Sequence, residues 1–286
     1  MTKTVFVTAD DYGFTKGVTD GILHCHDNGL VTNTSLMVNM PDADRAMELA
    51  KSRPNLSVGL HVNLTQGKPI SKPEAVPSLV DKSGNFKKLS LAYPRKADPA
   101  DLKREVCAQI ERFKSYSTPK FHIDGHHYVT FIPSVLNIVL EVSKYYGINS
   151  MRMIDLDMIK RGVKRKIIGF SLLCMGTKAV FGFSRHVIRW RKLIDAAYIS
   201  ISDALISWEL FGDDDPISSL YKTFSKLPEG ITEIFCHPGF VDQELRAIST
   251  YTDIRDKELK AFTDQGVIQA FQNTGATLAN AWTMNG

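Results

Sequence analysis

Two adjacent carboxylates, Asp10 and Asp11, follow the short β-branched and aromatic run Val5–Thr8. At the end of a buried strand, neighbouring side chains leave on opposite sides. One carboxylate can then hold a cation while the other faces a water or a substrate, and two like charges side by side call for a cation nearby. A surface turn or a helix-capping Asp pair is the plain alternative. His61 closes the run Gly59-Leu60-His61-Val62-Asn63, either as a ligand or as a buried structural histidine. In His122-Ile123-Asp124-Gly125-His126-His127, period-2 alternation puts His122 and Asp124 on one face, and His126 carries that direction just beyond the strand. Asp124 suits the acceptor that orients a ligating imidazole. His126 is the third ligand candidate, whereas His127, one position on, diverges and is expected to be exposed. His237 stands immediately before Pro238-Gly239, a rigid turn.

One aspartate and two histidines with open coordination positions suit a divalent cation acting as a Lewis acid, which polarises a carbonyl and activates a water. The chemistry that follows is hydrolysis. Asp10 and His237 then supply proton transfer, the carboxylate taking the water's proton and the imidazolium donating to a leaving amine. His24 and His26 stand two apart, about 200° around a helix, and do not share a site. His186 lies in a basic stretch, where it is packed or solvated. No GxGxxG, GxxxxGK[ST] or GxSxG occurs, so dinucleotide, P-loop and serine-hydrolase chemistries lack their signatures.

Strands at 5–8, 32–38, 56–63, 121–124 and 148–153 alternate with helices at 15–28, 41–52, 99–116 and 132–146, the rhythm of parallel βαβ units. In a barrel of such units the polar strand ends converge on one mouth. The turn-rich segment 65–98 is long enough to be a functional loop beside that mouth. Residues 155–208 break the rhythm, being apolar and basic together, with ten Lys or Arg and no Asp or Glu between Met158 and Ile194. A helical cap on the barrel and a basic amphipathic surface touching anionic lipid both fit this composition. The rhythm resumes with a helix at 217–226, a strand at 231–236 and helices over 255–272.

The 286 residues, 43% hydrophobic and 23% charged, exclude a disordered or collagenous chain. A formal charge of +4 is too small to mark a nucleic-acid binder. Cys25, Cys107, Cys174 and Cys236 lie far apart without a CxxC spacing, so free thiols are expected. The N-terminus turns acidic after a short apolar run and lacks the h-region of a signal peptide, so the expected location is cytoplasmic, with peripheral membrane contact through 158–194 as the alternative to a packed cap. A homodimer is the default assembly.

In order along the chain, Thr8-Ala-Asp-Asp-Tyr-Gly-Phe, Val58-Gly-Leu-His-Val-Asn-Leu-Thr-Gln-Gly-Lys-Pro, His122-Ile-Asp-Gly-His-His and Cys236-His-Pro-Gly-Phe resemble the YdjC-like carbohydrate deacetylases, a family that includes chitooligosaccharide deacetylases and the hopanoid-associated HpnK proteins. The resemblance covers about residues 4–154 and 230–280. It implies an α/β fold, a distorted TIM-like (β/α) barrel as a single domain over residues 1–286, into which the apolar, basic stretch at about 155–212 reads as a helical insertion outside the resemblance. It also implies removal of an N-acetyl group from an amino sugar with a divalent ion, often Mg2+ and in some members Zn2+. By motif, Asp11, His61 and His126 fall on the family's metal ligands and Asp10 on its base. His237 falls on the His-Pro histidine, an acid or transition-state stabiliser. Where many relatives continue the third motif with histidines, this chain has Tyr128 and Thr130, which changes the wall beside the metal. Tyr128 is therefore a substrate candidate. The large basic insertion suggests a bulkier or lipid-linked amino sugar, and a non-catalytic sugar-binding protein on the same fold is the rival from another class.

Overall fold

The computed structural model describes residues 2–90, 93–117, 121–155, 183–206 and 213–281. Its strands are β1 (Lys3–Tyr12), β2 (Asn33–Leu36), β3 (Ser57–Val62), β4 (His122–Gly125), β5 (Ser150–Met151), β6 (Ala204–Ile206), β7 (Gly230–Cys236) and β8 (Thr277–Leu278). The helices between and after them are α1 (Lys16–Asn28), α2 (Ala43–Ala50), α3 (Pro99–Lys114), α4 (Pro133–Tyr146), α5 (Phe183–Ala196), α6 (Pro216–Phe224), α7 (Gln243–Ile248), α8 (Asp253–Thr263) and α9 (Gln265–Gln272). The strands follow the order β5-β4-β3-β2-β1-β7-β6, with β8 beside β1, and every described pairing between them is parallel. This is the α/β distorted-barrel class that the resemblance implies, and its parallel strands are those the alternation predicts. Packing divides the chain into two compact units, one of Met1–Leu36, Pro41–Val58 and Ser202–Gly286, the other of Met37–Met40 and Gly59–Ile201.

In the first unit β1 lies between β2 and β7 and is buried from Val5 to Tyr12, on both faces, as parallel strands covered by helices are. It runs four residues past the expected end at Thr8, so Asp10 and Asp11 belong to the strand itself. The register with β2 slips between Ala9 and Tyr12, where β1 carries one extra residue. Asp11 sits at that bulge with φ of 70°, a left-handed conformation that Asp tolerates better than bulkier residues. Helix α1 starts at Thr15, whose hydroxyl accepts the Val18 N–H, and buries Val18, Ile22 and Cys25 as the stripe predicts. Gly21 lets α1 meet the turn after β7, since a Cβ there would lie 2.6 Å from Gly239 Cα.

In the second unit β3, β4 and β5 pair in register His61↔Asp124 and His122↔Ser150. Asp98 caps α3 by accepting the Ala100 and Asp101 N–H groups, Pro99 occupies its first turn, and Leu102, Val106, Ile110 and Phe113 are fully buried. Each such side chain contributes about 1.5–3 kcal/mol. The 65–98 loop is tied to α3 by buried Glu105, whose carboxylate accepts the Ile70 and Ser71 N–H groups at 2.9 Å. Gln109 clamps the end of β3, accepting from Asn63 N and donating to Asn63 O. Of the stretch expected as an insertion, α5 packs inward through Val187, Trp190 and Ile194. β6 pairs with β7 in the first unit. The rest of that stretch, 156–182 and 207–212, lies outside the described residues, and with it most of the 158–194 surface. No described helix is long and apolar enough to cross a membrane.

Candidate active site

At the end of β1, Asp10 and Asp11 are buried, at 2% and 1% exposure, and face different partners. Asp10 Oδ1 accepts from the Ser35 hydroxyl at 3.2 Å, while its Oδ2 lies 3.8 Å from His237 Nε2. That separation is ion-pair reach, longer than a hydrogen bond, and such distances shorten when a substrate seats. Asp11 Oδ2 accepts from Arg255 on α8 at 2.5 Å. The Arg255 guanidinium, itself buried, lies against the Phe14 and Tyr251 rings. Glu258, one turn further along α8, accepts the His237 backbone N–H at 2.5 Å and the Tyr251 hydroxyl. Burial pushes the Glu258 carboxyl up to about 7 against the lowering effect of these two donors.

In the second unit His61, at the end of β3, pairs through Nδ1 with Asp124 Oδ1 at 2.6 Å, and Asp124 Oδ2 lies 2.9 Å from buried Arg152. Burial alone would raise the Asp124 carboxyl, but the Arg152 charge and then the His61 imidazole outweigh it and hold it well below the usual carboxylate range. An ionised Asp124 accepts an Nδ1–H from His61, which makes Nε2 the unprotonated nitrogen of the imidazole. His126 presents its ring edge-on to His61 at 5.6 Å between centroids. Immediately after β4, His127 and Tyr128 both adopt left-handed backbone, with φ of 53° and 58°. The chain therefore turns sharply away after His126. His127 is exposed, and its Nδ1 pairs with the Thr65 hydroxyl at 2.8 Å. Tyr128 is half-buried and stacks on Phe131. His122 is buried with Nδ1 on the Ser150 hydroxyl, and it also lies close enough to Asp124 to help hold that carboxyl low.

Asp10, Asp11, His61, Asp124 and His126 are thus carboxylates and imidazoles of the kinds that could hold a metal ion. Within the first unit the fold brings Asp10 to His237, and within the second it brings His61 to Asp124 and His126. Arg152, Arg255, Glu258 and Tyr251 escaped the sequence reading. The only local signal is on α8, where Arg255 and Glu258 are three apart on one face and both buried, an arrangement that an exposed ion pair would not need.

A parallel α/β barrel whose strand ends carry carboxylates and imidazoles, with Asp11 held by buried Arg255 and His61 by buried Asp124, defines the class of protein. A family model described as YdjC-like protein matches residues 4–273, and the chain belongs to that family. The chain is 33% identical over 281 residues to a carbohydrate deacetylase of Thermoanaerobacter pseudethanolicus, covering 97% of this chain and 98% of that one. A carbohydrate deacetylase of Geobacillus stearothermophilus is 31% identical, with 97% and 96% covered. Among solved structures, a protein of Enterococcus faecalis V583 described as a candidate cellobiose-phosphate cleavage protein superposes with a TM-score of 0.81 at 28% identity, covering 99% of each chain.

Proposed function

We propose that this protein is a metal-dependent hydrolase that removes the N-acetyl group from an amino sugar in an oligosaccharide or glycoconjugate. The observation that carries the reading is the Arg152–Asp124–His61 chain. It fixes one imidazole in the tautomer a metal ligand needs, in a family whose relatives are carbohydrate deacetylases. The donor types fit a divalent ion: Asp11, His61 and His126 would hold it, Mg2+ in the first instance and Zn2+ as the alternative. When bound, the ion supplies Lewis acidity, polarising the acetamide carbonyl and acidifying a water. Asp10 takes the proton of the attacking water at Oδ2, the oxygen that faces His237, while Ser35 steadies Oδ1. His237 delivers a proton to the departing amine nitrogen as the C–N bond breaks, so acetate and the free amino sugar leave. Asp124 keeps the His61 ring in place throughout, and Tyr128 lines the wall that meets the sugar.

The experiment is acetate release from short chitooligosaccharides and N-acetylated glycolipids, with and without chelator. The expected result is turnover that is abolished by EDTA, restored by Mg2+ or Zn2+, and reduced by about two to four orders of magnitude in Asp10→Asn. Turnover indifferent to chelator, or unchanged in Asp10→Asn and His61→Ala, overturns the reading. A second reading keeps the chemistry and changes the substrate to a lipid-linked amino sugar at a membrane face. It is favoured by α5, whose outer side exposes Arg185, Arg189 and Lys192 with Ile188 and Leu193.

A further inference from the structure

We infer that Glu258 and Tyr251 are positioning residues that fix the His237 imidazole for proton delivery, acting through one carboxylate that grips the histidine at both ends. The inference rests on the reading of His237 as the proton donor. His237 is the first residue beyond β7 and is followed by Pro238-Gly239. Its backbone N–H donates to Glu258 Oε2 at 2.5 Å. Its ring is held between two aromatic rings. Phe235 stands edge-on at 5.8 Å and 80°, and Tyr251 at 5.4 Å and 64°. The Tyr251 hydroxyl donates to Oε1 of the same Glu258 carboxylate. Both carboxylate oxygens are therefore committed to His237, one through its main chain and one through the ring that stops its side chain.

The surroundings make this a built arrangement. Glu258 is 2% exposed, and the cost of burying it is offset by its two donors and by the nearby Arg255 charge. The turn it steadies is also anchored by Gly239 N–H donating to Arg255 O and Phe240 N–H donating to Gly17 O. Arg255, on the same face of α8, meanwhile holds Asp11. An imidazole 3.8 Å from Asp10 has slack to lose or gain, and rotation about χ1 or χ2 would carry Nε2 away from the carboxylate. Glu258 and Tyr251 remove that freedom without touching the substrate.

The test uses the full-length protein and the variants Tyr251→Ala, Tyr251→Phe, Glu258→Gln and Glu258→Ala. The first readout is the His237 imidazole signal in 1H–13C NMR, assigned with His237→Ala. It is expected to shift and broaden in Tyr251→Ala and Glu258→Ala and to stay near wild type in Glu258→Gln, whose amide can still accept the His237 N–H. The second readout is turnover of an N-acetylated chitooligosaccharide, where Tyr251→Ala is expected to lose about 10- to 100-fold in kcat with KM within about threefold. The loss should be much smaller on p-nitrophenyl acetate, whose leaving group departs without a proton. An unchanged imidazole signal in Tyr251→Ala, or equal losses on both substrates, overturns the inference. Should Glu258→Ala fail to fold, the two Tyr251 variants carry the test. A perturbed imidazole in a protein that turns over no acetylated sugar would leave the positioning role standing and remove the deacetylase reading.

Discussion

Asp124 carries two obligations, one to His61 and one to Arg152, and substitutions separate them. Asp124→Ala takes a buried carboxylate away from the buried Arg152 guanidinium, which is expected to cost up to about 3–5 kcal/mol in urea unfolding. Asp124→Asn keeps an acceptor for the imidazole but not the charge, and calorimetric affinity for added Zn2+ is expected to fall about 10- to 100-fold. Glu258 gives a pH signature of opposite sign to Asp124. Its folded carboxyl titrates at about 7, above its ordinary value, so the folded chain holds a proton that the unfolded chain has released, and stability falls as pH rises toward 7. Asp124, held low, contributes stability above the ordinary carboxylate range that is lost as pH falls. Urea midpoints at pH 5, 6 and 7 should therefore decline in the wild type and flatten in Glu258→Gln; equal slopes in both would refute the assignment. Asp124 was legible as a histidine's partner because strand alternation is local. Arg255 was not, because it meets Asp11 from 244 residues away and no spacing rule connects them.

At the level of elements, α1 and the turn after β7 touch backbone to backbone at Gly21. Helix propensity alone would make Gly21→Ala stabilising by about 1 kcal/mol. The packing reverses that sign, because the new methyl would stand 2.6 Å from Gly239 Cα and from Phe240 N, neither of which is a flexible chain end. The variant is expected to be less stable in urea and slower in turnover, since the displaced turn carries His237. The strand–helix rhythm was readable because each buried strand is a short apolar run and α3 repeats its apolar residues every three to four positions. What escaped reading were β6 and β8, of three and two residues; β5, also of two, was caught inside the longer apolar run 148–153, whereas β6 was absorbed into the basic stretch. The length of β1 was also underread, since the acidic pair that seems to end it is held inside by the bulge and by Arg255.

For the molecule as a whole, the family match runs unbroken from 4 to 273, including the 155–208 stretch that the motifs did not reach. If α5 meets anionic lipid, the full chain should float with phosphatidylglycerol vesicles, release as salt rises toward 0.5 M, roughly where the screening length falls below 5 Å, and fail to float when Arg185, Arg189 and Lys192 become Glu. Absence of flotation by the unaltered chain removes that reading. Substitution beside the candidate site meets a constraint of the main chain. His127 and Tyr128 hold consecutive left-handed backbone angles, so mutant libraries at these two codons will be filtered by main-chain geometry before selectivity is ever tested. Glycine, asparagine and aspartate will survive there, valine and isoleucine will be purged, and diversity is better spent on positions of ordinary backbone such as Thr130.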